Sequence, residues 1–206
     1  MNSATARQVF EGLMLGDGTI VPNGASPYFA LSLSGEKHMS YLTLIHDTLE
    51  LLGMDVVQPT ARLSISKGKP YMHCRLRTLT SPALLLERER WYPNGSRWKV
   101  VPGDIHLQPA TVAHWFMGDG YSSYRLSGSV YARLCTEAFS AHGVNLLRGE
   151  LAALGIGTTA YEIKVAHGDG FIINIKESSM TNFMRMVAPY IVEPFMYKVK
   201  YKQSLR

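Results

Sequence analysis

Apolar positions recur along this chain in two periods, helical and alternating, and the switches between them come in the same order twice. Residues 4 to 16 predict a helix whose second half, "FEGLML", is apolar almost throughout and which runs out at Gly16-Asp17-Gly18. A strand is predicted around 28 to 34, and "EKHMSYLTLIHDTLELL" then carries apolar residues at helical spacing. Two alternating runs joined by "SKGKP" predict a hairpin, and a helix near 80 to 90 opens with Ser81-Pro82. From residue 108 the order returns: a helix near 108 to 118, the strand "VYARLCTE", a helix from about 140 to 154, a hairpin about "HGDG" and a helix from about 179 to 191. Each half reads αββαββα, which predicts an α+β fold of two pseudo-symmetric halves.

The halves also match residue by residue. "LMLGDGTI" at 13 to 20 has its counterpart in "WFMGDGYS" at 115 to 122, and "LELLGMDV" has its counterpart in "LAALGIGT", both at an offset of 102 residues. Two matches in one register argue for duplication. The Gly- and Pro-rich stretch from 94 to 107 reads as a linker between an N-terminal half, 1 to 93, and a C-terminal half, 108 to 206.

The strands supply a two-faced sheet. In "ARLSISKGKPYMHCRLRT", Leu63, Ile65, Met72, Cys74 and Leu76 are expected to face the core. Arg62, Ser64, Ser66, Tyr71, His73, Arg75 and Arg77 are expected on the other face, with Lys67 and Lys69 in the turn. In the second half the expected inward set is Ile163, Val165, Ile173 and Ile175, and the outward set is Glu162, Lys164, Asn174 and Lys176, joined by Arg125 and Arg133. Cations for phosphates, mixed with donors and acceptors for base edges, suit a groove-reading surface; a plainly solvated face is the competing reading.

Composition narrows the class. With 21 Lys and Arg against 16 Asp and Glu, the net charge of +5 suits a polyanionic partner. Cys74 and Cys135 have no metal-site spacing and read as reduced thiols. No apolar run is long enough for a membrane span, and a soluble intracellular protein is expected, its compartment left open.

Asp17 and Asp119 each end an apolar helix, where carbonyl dipoles already disfavour an anion. A buried apolar helix needs a covering partner, and in a duplicated chain its twin is the natural one. That packing is expected to bring both acids to one end of the helix pair, where divalent cations would neutralise them. The flanking glycines are expected to supply a left-handed cap and close approach for a phosphate.

At these residues the sequence resembles the LAGLIDADG homing endonucleases in their single-chain, two-motif form. "FEGLMLGDG" matches the first motif and "VAHWFMGDG" the second. The acid often found two positions earlier is replaced by Leu15 and Met117, and His114 stands where the motif has Gly. The resemblance implies saddle-shaped antiparallel sheets packed through the two motif helices, in a monomer encoded within an intron. It implies a Mg²⁺-dependent enzyme that binds long double-stranded DNA and cuts both strands across the minor groove, leaving 3′ overhangs. Asp17 and Asp119, with the carbonyls of Gly16 and Gly118, would hold Mg²⁺, and Mn²⁺ or Ca²⁺ could occupy the same places. "WKVVP" and "PFMYKVK" place the family's basic active-site residues at Lys99 and Lys198. A solvated basic tail competes at Lys198, which alternates with Lys200 and Lys202. An intron RNA maturase, or a DNA-binding protein that does not cut, is the alternative for the whole chain.

Overall fold

A computed structural model of the chain describes residues 1–66, 68–124, 129–165 and 168–199. They form two compact units, Met1–Arg97 and Trp98–Arg206. Unit 1 runs α1 (Ser3–Leu15), β1 (Thr19–Val21), β2 (Tyr28–Ser34), α2 (Met39–Glu50), β3 (Val56–Ser66), β4 (Lys69–Thr78) and α3 (Leu84–Trp91). Unit 2 runs α4 (Pro109–Asp119), β5 (Gly120–Tyr124), β6 (Val130–Cys135), α5 (Ala141–Ala153), β7 (Thr158–Val165), β8 (Gly168–Ile175) and α6 (Met180–Val187). The αββαββα order appears in both, and the sheets are antiparallel with matching strand orders, β1-β2-β4-β3 and β5-β6-β8-β7.

Local chemistry explains the element ends. The Asn2 side chain caps α1 by accepting from the Thr5 N–H at 2.9 Å, and Pro109 opens α4 where a missing N–H costs nothing. The repeated Gly53 and Gly155 have φ of +75° and +74° and close the same C-terminal motif on α2 and α5. In each, the glycine N–H bonds the carbonyl three residues back (2.9 Å in both) and the next N–H bonds the carbonyl five back, at 3.2 and 2.9 Å. Helix α2 buries Tyr41, Leu42, Ile45 and Leu49 against β3 and β4, while α5 buries Val144, Leu147 and Leu151 against β7 and β8. Each sheet therefore has a helix-covered apolar face and an opposite polar one.

Residues 98–107 pack as part of unit 2. Ile105 and Leu107 are buried, the Leu107 N–H donates to Glu150 Oε2 at 2.9 Å, and Val101 lies against Gly143.

Two expectations about the strands are corrected. The pairing Leu63↔Met72 keeps the alternation in β3 and β4, but Leu63 and Ile65 are 68% and 76% exposed, whereas Cys74 and Leu76 are buried. The hairpin runs past a bulge at Gln58-Pro59, and its outer end leaves the part of the sheet that is buried. In unit 2, Ala160 pairs with Ile173 and Lys164 with Asp169, so Glu162 and Lys164 share the side of Ile173 and Ile175. Ile163 and Val165 share the side of Asn174 instead. At the partly exposed tip of this hairpin burial does not select a phase, and one residue of slip exchanges the faces. Among the described residues, no helix is long and apolar enough to cross a membrane.

Candidate active site and nucleic-acid interface

Each acid sits where a motif helix turns directly into the first strand of its sheet. In unit 1, α1 stops at Leu15, and the Gly16 N–H reaches back to the carbonyls of Gly12 and Leu13 at 3.2 and 3.1 Å. The Gly18 N–H bonds Leu13 O at 2.8 Å, leaving Asp17 exposed between two buried glycines. In unit 2, α4 continues through Asp119, which is half-buried, and Gly120 begins β5.

The glycines are needed for space rather than for a left-handed cap, which corrects the expectation. Gly16 has φ −100° and Gly120 φ −90°, and the positive-φ glycines among the described residues lie elsewhere. A Cβ on Gly18 would lie 2.7 Å from Leu13 O and 2.9 Å from the Phe29 ring, and one on Gly120 would lie 2.3 Å from Phe116 O. The chain doubles back so tightly on each helix end that only hydrogen fits.

The fields of both acids reach neighbouring groups. Burial pushes the Tyr41 hydroxyl pKa well up, and the negative charge of Asp17 adds to it. Burial likewise raises the Cys135 thiol on β6, with Glu137 and Asp119 adding to the rise and Arg133 and Lys198 opposing it. His114 is 4% exposed inside α4, and burial lowers its pKa to about 4, so it is a neutral packing residue at neutral pH.

Lys198 is no solvated tail. It is 7% exposed, and its ammonium donates to the carbonyls of Phe116, Met117, Gly118 and Gly120 at 3.0, 2.6, 3.3 and 2.7 Å. A cation on the last turn of α4 complements the helix dipole. Lys99 lies half-buried in the irregular segment before α4. Carboxylates flanked by backbone carbonyls form an all-oxygen donor set, which suits a hard divalent cation such as Mg²⁺. At Gly118 the bond to Lys198 is the longest of the four, and a carbonyl oxygen has a second lone pair.

The polar face of unit 1 gathers most of its predicted residues. Cross-strand pairing sets Arg62 beside His73, Ser64 beside Tyr71, Ser66 beside Lys69, and Arg75 between Thr60 and Ser32, while Arg77 pairs with Ala30. Arg62, Lys69, Tyr71, Arg75 and Arg77 are exposed, and Ser64 Oγ holds His73 Nδ1 at 3.0 Å. Lys67 and Arg125 lie outside the described residues.

On unit 2, Arg133 and Asn174 are cross-strand partners and share an open depression of about 500 Å³ with Lys176. Three further lining residues, Tyr131, Thr159 and Tyr161, escaped sequence reasoning, as did Tyr121. The Arg133 guanidinium stands 4.7 Å from the Tyr121 ring centre. Burial opposes its charge most, but hydrogen bonding with Tyr161 and the fields of Tyr161, Cys135 and Tyr131 together raise its pKa, so it remains a cation. Lys164 is absent from this group. The pairing directs it to the other face, where it forms ion pairs with Asp169 and, at 3.7 Å, with Glu162.

A second charged cluster was also missed. Glu11 on α1 is 7% exposed and bonds Arg7 at 2.9 Å and Arg90 of α3 at 2.7 Å, while Glu87 bonds the same arginines at 2.7 and 3.5 Å. Burial raises the Glu11 pKa, and the two arginines offset part of the rise. The only signal was an acid in the midst of an apolar helix.

Residues 7–183 match the LAGLIDADG DNA endonuclease family. The chain is 28% identical over 199 residues to DNA endonuclease I-ChuI of Chlamydomonas applanata, covering 91% of both proteins. Its structure is similar to that of the homing endonuclease I-WcaI bound to its DNA recognition sequence, with a TM-score of 0.80 at 19% identity over 96% of this chain and 87% of that one. It is also similar to I-DmoI in complex with DNA and Mn, with a TM-score of 0.57 at 15% identity over 93% of this chain and all of the other.

Proposed function

We propose, because the chain belongs to the LAGLIDADG DNA endonuclease family, that it is a site-specific homing endonuclease cutting both strands of a long duplex target with 3′ overhangs. The observation that carries this reading is duplicated: a buried helix, Gly-Asp-Gly, and a strand opening an antiparallel sheet with an exposed polar face. Such a pair of sheets would lie in the major groove, each covering about one helical turn, on the order of 10 base pairs. Arg62, Arg75 and Arg77 on unit 1, and Arg133 and Lys176 on unit 2, would neutralise phosphates or bond guanine edges. Asn174, Ser64 and His73 supply the mixed donors and acceptors that adenine and the remaining edges need.

Asp17 with the Gly16 carbonyl, and Asp119 with the Gly118 carbonyl, are the groups that would hold Mg²⁺, with Mn²⁺ or Ca²⁺ as substitutes. When bound, the ion activates water and stabilises charge on the scissile phosphate. Asp119 is aimed by the tight turn at Gly120, whose steric limit fixes the acid at the helix end. Lys198 adds a fixed positive charge at that end of α4, and Lys99 is its candidate counterpart for the other strand cut.

The test is linearisation of a plasmid carrying the uninterrupted form of the gene's insertion site. With Mg²⁺ the wild type should linearise it, and the Asp17→Asn, Asp119→Asn double variant should bind the site without cutting. Equal binding with no cleavage by either protein would leave a DNA-binding protein in place of the nuclease.

A further inference from the structure

The end of α4 is built as a cation site that the protein fills itself. Four backbone oxygens, from Phe116, Met117, Gly118 and Gly120, converge on Lys198 Nζ within 2.6 to 3.3 Å, one more acceptor than an ammonium has protons. The Phe116 and Phe195 rings, each 5.7 Å from Nζ, line the same site, and Lys198 is 7% exposed. One of those oxygens, on Gly118, adjoins Asp119 in the chain. Cys135 registers both charges, raised by Asp119 and lowered by Lys198 after the larger effect of burial.

We infer that Lys198 is a resident cation of unit 2 that shares the Gly118 carbonyl with any divalent ion drawn by Asp119, and so holds the metal affinity of that acid down. This rests on the proposed function for the ion and for the pairing of Asp119 with the Gly118 carbonyl. A second cation placed on an oxygen that already accepts an ammonium meets direct repulsion, and the ammonium has already neutralised part of the negative potential that the helix end and the carboxylate create. Lys198 is thus a positioning residue whose removal has two opposite effects. Four carbonyls at and just after the α4 terminus lose their ammonium donor, and Asp119 gains affinity for metal.

The experiment is an equilibrium Mn²⁺ titration of the full chain without DNA, with free Mn²⁺ read by electron paramagnetic resonance. An Asp17→Asn background removes the unit 1 acid, and the same background with Asp119→Asn sets the baseline for Mn²⁺ taken up elsewhere, as at His46, Asp47 and Glu50 of α2. Lys198→Met should tighten Mn²⁺ binding about tenfold and lower the melting temperature, and adding Asp119→Asn should erase the gain. Lys198→Gln is neutral yet can still donate to the cradle, so it should reproduce the tighter binding in a better-folded protein. Unchanged or weaker Mn²⁺ binding in Lys198→Gln overturns the inference whatever Lys198→Met does. Failure of the wild type to linearise plasmid would sink the endonuclease reading while leaving the Mn²⁺ comparison intact. A cutting enzyme whose Mn²⁺ affinity ignores Lys198 would do the reverse.

Discussion

Unit 1 ties its motif helix to α3 with charges: Glu11, 7% exposed, is held by Arg7 and Arg90, which also hold Glu87. In unit 2 the residue 102 positions after Glu11 is Ala113, fully buried, and α4 meets α6 through Phe116 set edge-on to Phe183 at 5.2 Å. The helix flanks have diverged from ionic to apolar, while Gly-Asp-Gly and the strand behind it have not. Packing can be achieved by either chemistry, because both fill volume and the buried acids of unit 1 are paired with arginines. The tight turn that presents the acid admits no such exchange, since a Cβ after Asp17 or Asp119 would collide with helix backbone.

The sharpest way to break this comparison is to move the acid alone. Ala113→Glu should destabilise the protein by about 4 kcal/mol or more, because it buries a carboxylate where Pro109 and Val192 stand 102 positions after Arg7 and Arg90. Glu11→Gln should cost less, about 2 kcal/mol, since Glu87 remains to face Arg7 and Arg90. Urea unfolding measures both, and equal losses would mean that Glu87 does not compensate Arg7 and Arg90 once Glu11 is neutral.

The next difference lies one position further along the same helices, where unit 1 has Gly12 and unit 2 has His114. Because burial lowers the folded-state pKa of His114 to about 4, the unfolded chain takes up a proton below about pH 6.5 that the folded chain refuses until about pH 4. Stability from this group is therefore constant above about pH 6.5 and falls as the pH drops through that window, by about 3 kcal/mol in full. Melting temperatures between pH 7 and pH 4.5 should show the decline in the wild type and a flatter profile in His114→Gln. Identical profiles would place the acid sensitivity elsewhere.

A smaller and symmetric effect belongs to the shared helix stops. Gly53→Ala and Gly155→Ala each force a Cβ into the left-handed region at φ near +75° and should each cost about 1 kcal/mol. A cost in one unit only would show that the two stops, though matched in sequence, carry different loads.

What the sequence made legible follows the same division. The element order was readable because helical and alternating periods are local, and because Gly53 and Gly155 stop helices at one offset. The acids were readable because a motif repeated in register is improbable by chance. Lys198 was readable only through the resemblance and its burial was not, because the carbonyls that hold it lie about 80 residues earlier and a lysine among alternating lysines looks solvated. The three-residue strand β1 is too short to show a period, and Glu11 looked like an interruption because its arginine on α3 is 79 residues away.

The faintest signal was the phase of β7, and it yields the finest test. Lys164 and Lys176 look equivalent in sequence, two exposed lysines, one on β7 and one just after β8, but the pairing turns Lys164 toward the side of Ile173 and Ile175 and into ion pairs with Asp169 and Glu162. Lys176 lines the depression that holds Arg133 and Asn174. If that depression meets DNA, Lys176→Ala should reduce the slope of log affinity against log salt by about 1, the loss of one phosphate contact, whereas Lys164→Ala should leave the slope unchanged. Fluorescence anisotropy with a target duplex across a salt series measures both slopes. Should Lys164→Ala lower the slope and Lys176→Ala leave it alone, DNA would lie against the helix-covered side of the unit 2 sheet, and the polar face would be only a solvated surface.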